Sequence, residues 1–322
     1  MQTFLADENL RLDLFLAQKL NKSRSQVSLL IEKNCVKVND KFQNKASFKL
    51  KINDKIEVKF LKFEENLKTK FEVNFDIEIL YEDENLLVLN KPSNLVVHGA
   101  SSVKSATLVD WLVTKKYTLS NLGGELRAGL VHRLDKDTSG AILIAKDNFT
   151  HQRLSEQLAS KTMGRIYLAL IDLPLKEDKI IINNFLMRSP SNAVKKIAVE
   201  KENKACKSAK SAFVNLEKTD SVSLIAAKLF TGRTHQIRAH LASLNRHILG
   251  DALYGYKGNF ACRIMLHAYF LYFTHPLSEK TIFVKAPLMD DFKQILKDKL
   301  NLGEENEKIL LKSLLERFDS FV

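Results

Sequence analysis

The sequence predicts an α+β protein in two parts: a small module of two helices and a hairpin, then a larger domain whose mixed, largely antiparallel sheet is flanked by helices. Three observations carry this expectation. At 322 residues the chain is long enough for two domains, each with its own core. Its strand-like runs come in groups with helices interspersed, without the strict alternation that marks a parallel sheet. Its formal charge of +12, on a composition 45% hydrophobic and 27% charged, is unevenly spread, because residues 1–60 hold twelve Lys and Arg against seven Asp and Glu. That composition excludes wholesale disorder and a membrane bundle. The charge points to a polyanionic partner, nucleic acid before an acidic membrane surface.

The elements follow in chain order. Leu12, Phe15, Leu16 and Leu20 recur at helical spacing, and a second helix is expected after Ser23, which forms a capping box with Gln26 and turns Val27, Leu30 and Ile31 inward. Val36 and Val38, the turn Asn39-Asp40, then Ile56 and Val58 alternate as strands do. Residues 61–75 are charged and lack a strong period, so they read as a linker between a module over 1–60 and a domain over 76–300. In that domain residues 77–81 and 86–89 form a hairpin ending at Lys91-Pro92. Further strands are expected over 141–145, 166–171, 212–216, 222–229, 267–273 and 281–284, and helices near 107–115, 148–160, 234–244 and 289–299. Lys195, Lys196, Lys201, Lys204, Lys207 and Lys210 read as a solvated loop, and residues 301–322 as a helical extension without assigned function. Cys35, Cys206 and Cys262 are too scattered for a disulfide frame or a zinc site. With an acidic start unlike a signal peptide and no apolar run of about 20 residues, the expected compartment is the cytoplasm, with no membrane contact.

The densest chemistry lies in Gly129-Leu-Val-His-Arg-Leu-Asp-Lys-Asp-Thr-Ser-Gly140, a Gly-bounded polar turn before the apolar strand AILIA. As a calcium loop it begins well with Asp135, Asp137, Ser139 and Gly140. It fails at its last place, where Lys146 stands in for the bidentate Glu and repels the ion. As a magnesium-dependent phosphotransferase, Asp135 and Asp137 would be nucleophile and acid with the metal on Asp290 and Asp291, but Val131-His132-Arg133-Leu134 interrupts the apolar strand such a site requires. A carboxylate kept ionised in a dry site can serve as nucleophile or base, provided a cation pairs with it, and Arg, always charged and bidentate, suits that task. The helix near Thr234 is expected to bury Ile237, Leu241 and Leu244. His235 and Arg238 then fall on its polar side, with Arg238 the partner of Asp135 and Arg233 at the helix entrance to meet phosphate or brace the loop.

Three ordered strings share one resemblance: His132-Arg-Leu-Asp135, Gly232-Arg-Thr-His-Gln-Ile-Arg238 with His247-Ile-Leu-Gly-Asp-Ala-Leu-Tyr-Gly255, and Leu266-His-Ala-Tyr269 through Phe273-Thr-His-Pro276. From Lys91-Pro92 onward, over about residues 75–295, the chain resembles the RluA/RluD-type pseudouridine synthases. Residues 11–60, RLDLFLAQKL followed by NKSRSQVSLLIEKNCVKVNDK and a basic hairpin, resemble the S4 RNA-binding domain. The resemblance implies a cofactor-free isomerase, without a metal, that breaks the N1 glycosidic bond of a uridine, turns the base and rejoins it through C5. It implies a structured RNA partner, large-subunit (23S) ribosomal RNA or pre-ribosomal particles, and no obligate protein partner. Asp135 becomes the nucleophile or base, and Arg238 its partner by this route as well. Tyr167, which could otherwise be an ordinary strand aromatic, stacks on the extruded base. Arg133, two residues before Asp135, shares its face and fills the space the flipped nucleotide leaves. Arg233, Arg24 and Lys37 are the further RNA contacts. His132 is counted with the residues lining the RNA but given no chemical role, His267 none at all, and Asp137 reads as a turn former bonded to Thr138 or Ser139. A non-catalytic RNA- or ribosome-binding factor is the rival from another class, and it leaves Asp135 and Arg238 without a use.

Overall fold

The computed structural model describes residues 2–20, 24–32, 34–59, 69, 71–100, 103–260 and 262–319. The chain separates into two compact units, residues 1–68 with 121–125 and residues 69–120 with 126–322. Ser23, the Gln26 side chain, residues 61–68 and 70 of the expected linker, and residues 320–322 lie outside what is described. No described helix is long and apolar enough to cross a membrane.

The first unit runs β1 (Gln2–Leu5), α1 (Leu12–Lys19), α2 (Arg24–Glu32), β2 (Val36–Val38), β3 (Lys41–Phe42) and β4 (Lys55–Val58). Its antiparallel sheet has the order β1-β4-β2-β3. The helical spacing of Leu12, Phe15 and Leu16 and of Val27 and Ile31 places them against alternate residues Val36, Val38, Ile56 and Val58 in one core. Asn39 and Asp40 both take positive φ, 49° and 63°, as a two-residue hairpin between right-twisted strands requires. Buried Asp13 receives Arg11 at 2.9 Å and Arg24 at 2.8 Å, which ties the starts of the two helices together. Burial pushes its carboxyl up, and the two guanidiniums outweigh that and leave it lowered.

The second unit contains β5 (Glu78–Glu82), β6 (Leu86–Lys91), α3 (Leu108–Thr114), β7 (Ser139–Ala145), α4 (Asn148–Ser160), β8 (Gly164–Ile171), β9 (Lys179–Arg188) and β10 (Lys196–Val199). It continues with β11 (Lys207–Lys218), β12 (Ser223–Leu229), α5 (Gln236–Ser243), β13 (Leu266–Thr274), β14 (Thr281–Lys285), α6 (Asp290–Leu300) and α7 (Leu311–Asp319). One sheet runs β10-β9-β11-β12-β8-β13-β7-β6-β5, with β14 also paired to β13. Among the described residues of this sheet every pairing is antiparallel except β7 with β13, where Ser139 faces His267 and Gly140 faces Ala268. The fold is thus α+β with a mostly antiparallel sheet.

That single parallel junction is tightly built. Gly140 has φ 107°, and a Cβ there would lie 2.3 Å from the Ala268 carbonyl oxygen, so only glycine lets the strands close. Buried His267 holds the same place, its Nε2–H donating to the Ala286 carbonyl at 3.2 Å and its Nδ1 2.8 Å from Ser139 Oγ.

Several strands depart from the sequence expectation, β1 of the first unit among them, since no strand is expected ahead of α1. In the second unit β9 has no counterpart in that expectation, and Lys196 lies in β10 and Lys207 and Lys210 in β11 where the sequence suggests a solvated loop. The reason is their place: β10 is an edge and β9 its half-exposed neighbour, and lysine-rich edges lack the alternation that marks buried strands. The residues after 300 are part of the unit, since Leu314 and Phe318 of α7 are buried and Lys308 pairs with Glu217 of β11.

Candidate active site

The polar turn before β7 is fixed from beneath. Lys91, the fully buried last residue of β6, donates to the carbonyls of Pro92 at 2.7 Å, Leu95 at 2.9 Å and Lys136 at 2.9 Å. Three acceptors match the three N–H bonds of an ammonium. Burial nonetheless lowers its pKa to about 7, against the upward pull of Asp137 and Asp135. Ser93 Oγ donates to the Asp137 carbonyl at 2.8 Å, and the turn closes through Thr138 N–H to the Asp135 carbonyl at 3.2 Å. The turn bond therefore runs from Thr138 to Asp135, not from the Asp137 side chain. Asp135 is left with 16% of its side chain exposed.

Opposite it stands α5. The helix begins at Gln236, two residues later than expected, because His235 takes the left-handed φ of 58°. Buried Gln236 orders the entrance: its Oε1 accepts from Thr231 Oγ at 2.7 Å and Arg233 N–H at 3.0 Å, and its Nε2 donates to the Lys210 carbonyl at 3.0 Å. Arg238 does not lie on an exposed polar face; it is 5% exposed, while Leu244 is only half-buried. The amphipathic reading fails because every residue from Gln236 to Leu241 is buried. Arg238 Nη1 lies 3.8 Å from Asp135 Oδ2, but its bidentate partner is buried Asp251, at 2.7 and 2.8 Å. Burial works against its charge, and Asp251 and then Asp135 more than offset it, so its pKa is raised. Its guanidinium also stacks 4.8 Å from the Tyr254 ring centre. Tyr254, whose hydroxyl burial raises to about 12, donates to the Lys196 carbonyl at 3.0 Å and lies 3.2 Å from His235 Nδ1. His235 Nε2 is itself 3.8 Å from Asp135 Oδ2, and burial lowers the His235 pKa against the upward pull of that carboxylate.

A narrow cleft of about 40 Å³ brings together Asp135, Arg238, Tyr167, Arg133 and Arg233. Among its described lining Asp135 is the one carboxylate. Tyr167 is 4% exposed on β8, with burial raising its pKa. Arg133 is exposed, its Nη1 3.2 Å from His98 Nε2, and Arg233 Nε donates to the Ser208 carbonyl at 3.0 Å. His132 lies apart from this cleft. Its Nε2 accepts from Leu143 N–H at 3.1 Å and desolvation pushes its pKa down to about 3, so it offers RNA no positive charge. Arg24 and Lys37 belong to the first unit; Arg24 is 58% exposed while paired to Asp13, and Lys37 Nζ sits 4.8 Å from the Phe42 ring centre. Lys91, Asp251 and Tyr254 stand in the motif strings, where the sequence attaches no role to them, and nothing in their spacing pairs Asp251 with Arg238.

A carboxylate in a cleft with an aromatic ring and a buried guanidinium can attack or deprotonate a planar heterocycle. A signature of the RNA pseudouridylate synthases matches residues 85–243, and an S4 domain signature matches residues 10–56. A Helicobacter pylori protein named "Uncharacterized RNA pseudouridine synthase" is 52% identical over 93% of this chain and 94% of its own length. The chain belongs to the RNA pseudouridine synthase family. It is accordingly an isomerase acting on RNA, with an S4 RNA-binding domain. The ribosomal large subunit pseudouridine synthase D of Neisseria meningitidis is 36% identical over 89% of this chain and 78% of its own. Human RNA pseudouridylate synthase domain containing 4 shares the fold at a TM-score of 0.53, with 25% identity over 68% of this chain and 91% of its own.

Proposed function

We propose that this pseudouridine synthase modifies specific uridines of large-subunit ribosomal RNA in the cytoplasm, with Asp135 as its nucleophile or base. The observation that carries the catalytic assignment is the half-buried Asp135 carboxylate, alone of its kind in the cleft lining and 3.8 Å from buried Arg238. In the reaction the N1–C1′ bond breaks, the base turns, a C5–C1′ bond forms, and C5 loses a proton while N1 gains one, so that the product is an isomer of uridine. A carboxylate beside a guanidinium can form the transient bond and take the proton from C5. Tyr167 supplies the face on which uracil stacks, and Arg133, exposed at the rim, replaces the flipped nucleotide. Residues 1–60, with Arg24 and Lys37, grip the RNA, and residues 76–300 carry the chemistry. The ribosomal substrate is supported by the likeness to the Neisseria meningitidis enzyme.

Asp291, which a phosphotransferase would give to magnesium, instead meets Arg263 at 2.6 and 2.9 Å, and neither it nor Asp290 lines the Asp135 cleft. The test is to map pseudouridine in cellular RNA with and without the gene, then to assay the missing sites with wild-type protein and Asp135→Asn in excess EDTA. The expected outcome is full restoration by wild type and none by Asp135→Asn, whose melting temperature is unchanged. Turnover by the variant would remove Asp135 from its role, and missing sites confined to transfer RNA would overturn the ribosomal substrate.

A further inference from the structure

The Asp135 cleft shares Arg133, Arg165, Gly232 and Arg233 with a second cavity of about 440 Å³. That volume falls within the ~300–1,000 Å³ usual for small-ligand sites. Arg127, Arg133, Lys161, Arg165 and Arg233 line it, and its described lining holds no carboxylate. Four of the five are ordinary surface cations or half-engaged at the rim. Arg165 is different. It sits on β8 opposite Leu271, is 9% exposed, and its Nε is buried without a hydrogen-bond partner. Among the described residues no carboxylate pairs with its guanidinium. The space it occupies is kept by Gly232, where a Cβ would lie 2.9 Å from Arg165 Nη1.

A buried cation without an anion weakens the fold, so its presence in a cavity calls for an anion supplied from outside. Phosphate fits a guanidinium bidentately. The apolar part of the lining, Leu130, Leu158 and Phe230, suits the rest of a nucleotide.

We propose that this cavity is a nucleotide subsite, taking the RNA residue next to the target uridine, with Arg165 as its phosphate-binding side chain. The proposal rests on the RNA-isomerase reading of the adjoining cleft. The shared wall lets one strand run from cavity to cleft, so Arg165 positions the target by holding its neighbour.

The test uses the full-length protein and the oligonucleotide decauridylate, with binding followed by anisotropy across a salt series. Arg165→Gln is expected to bind about tenfold more weakly and to flatten the log–log salt slope by about 0.7, the share of one neutralised phosphate on a single strand. Arg165→Lys keeps the slope, and Lys176→Gln, an exposed residue elsewhere, changes neither. Because the buried charge has no partner in the fold, Arg165→Gln should melt at the same temperature as wild type or higher. On the mapped RNA substrate it should raise KM and leave kcat within a fewfold. An unchanged slope overturns the proposal. So does a Tm lowered in Arg165→Gln, or failure of that variant to fold, since either makes the cation structural. An active Asp135→Asn would overturn the catalytic assignment while leaving these salt slopes to stand or fall independently.

Discussion

Arg238 faces two carboxylates of unequal exposure, and that difference divides their labour. Asp251, 1% exposed and bidentate, neutralises the guanidinium permanently. Asp135, at 3.8 Å and 16% exposed, is held by the field without being locked in a short hydrogen bond. Asp251→Asn is therefore expected to cost about 3–5 kcal/mol, because it leaves a buried charge without its anion. Pseudouridine formation should fall at least tenfold, as Arg238 turns to Asp135 for compensation. Urea melts and single-turnover assays check both, and a variant as stable as wild type would show that Asp135 alone suffices for the pair. Lys91 sets a pH dependence. Its pKa is about 7 when folded and returns to about 10.4 when unfolded, so between these values the unfolded chain binds more protons and stability rises with pH. Relative to Lys91→Met, wild type should gain about 2 kcal/mol between pH 7 and 9, and the difference should stay flat below pH 6. Chemical denaturation at four pH values decides it; a gap that narrows on raising the pH would mean the ammonium is the form stabilised by its three carbonyls.

Elements place these residues through two junctions. β6 delivers Lys91 under the turn, and β7 leaves the turn as the one parallel neighbour of β13. A Cβ on residue 140 meets both a positive φ and a backbone carbonyl, and neither can yield without separating the strands. Gly140→Ala should cost about 3 kcal/mol or more and reduce activity, since the turn bearing Asp135 leads directly into this strand. A melting temperature within about two degrees of wild type would disprove the tightness of the junction. The helix α4 was legible because Asp147 caps it and Leu154 faces inward, while β9 and β10 were not, because β9 owes its strand identity to pairing with β11, and β10 to pairing with β9. The start of α5 was misplaced for a related reason: His235 adopts a left-handed turn that its residue type does not announce.

For the molecule, the formal charge of +12 becomes meaningful once the chain is an RNA enzyme, as an excess that draws RNA over a distance set by salt. Its densest portion is the S4 unit, where Lys37 and Lys41 flank the Asn39-Asp40 turn. Replacing both by Gln should flatten the log–log salt dependence of RNA binding by about 0.7–0.9 for each phosphate no longer neutralised, with little change in turnover at saturating RNA. An unchanged slope would mean that this hairpin faces solvent in the complex.

Order along the chain was enough for the two-part α+β plan, the S4 unit and the turn carrying Asp135, because each depends on local periodicity, turn chemistry or a contiguous string. Pairings between distant segments were beyond it. Asp251 under Arg238, Lys91 beneath the turn, the parallel strand contact at Gly140 and the unpaired Arg165 all join residues whose separation in sequence carries no distance information. Whether a charge is exposed, neutralised or left waiting for a ligand is a property of what the folded chain packs around it. Those facts arise only when the sheet closes and water leaves.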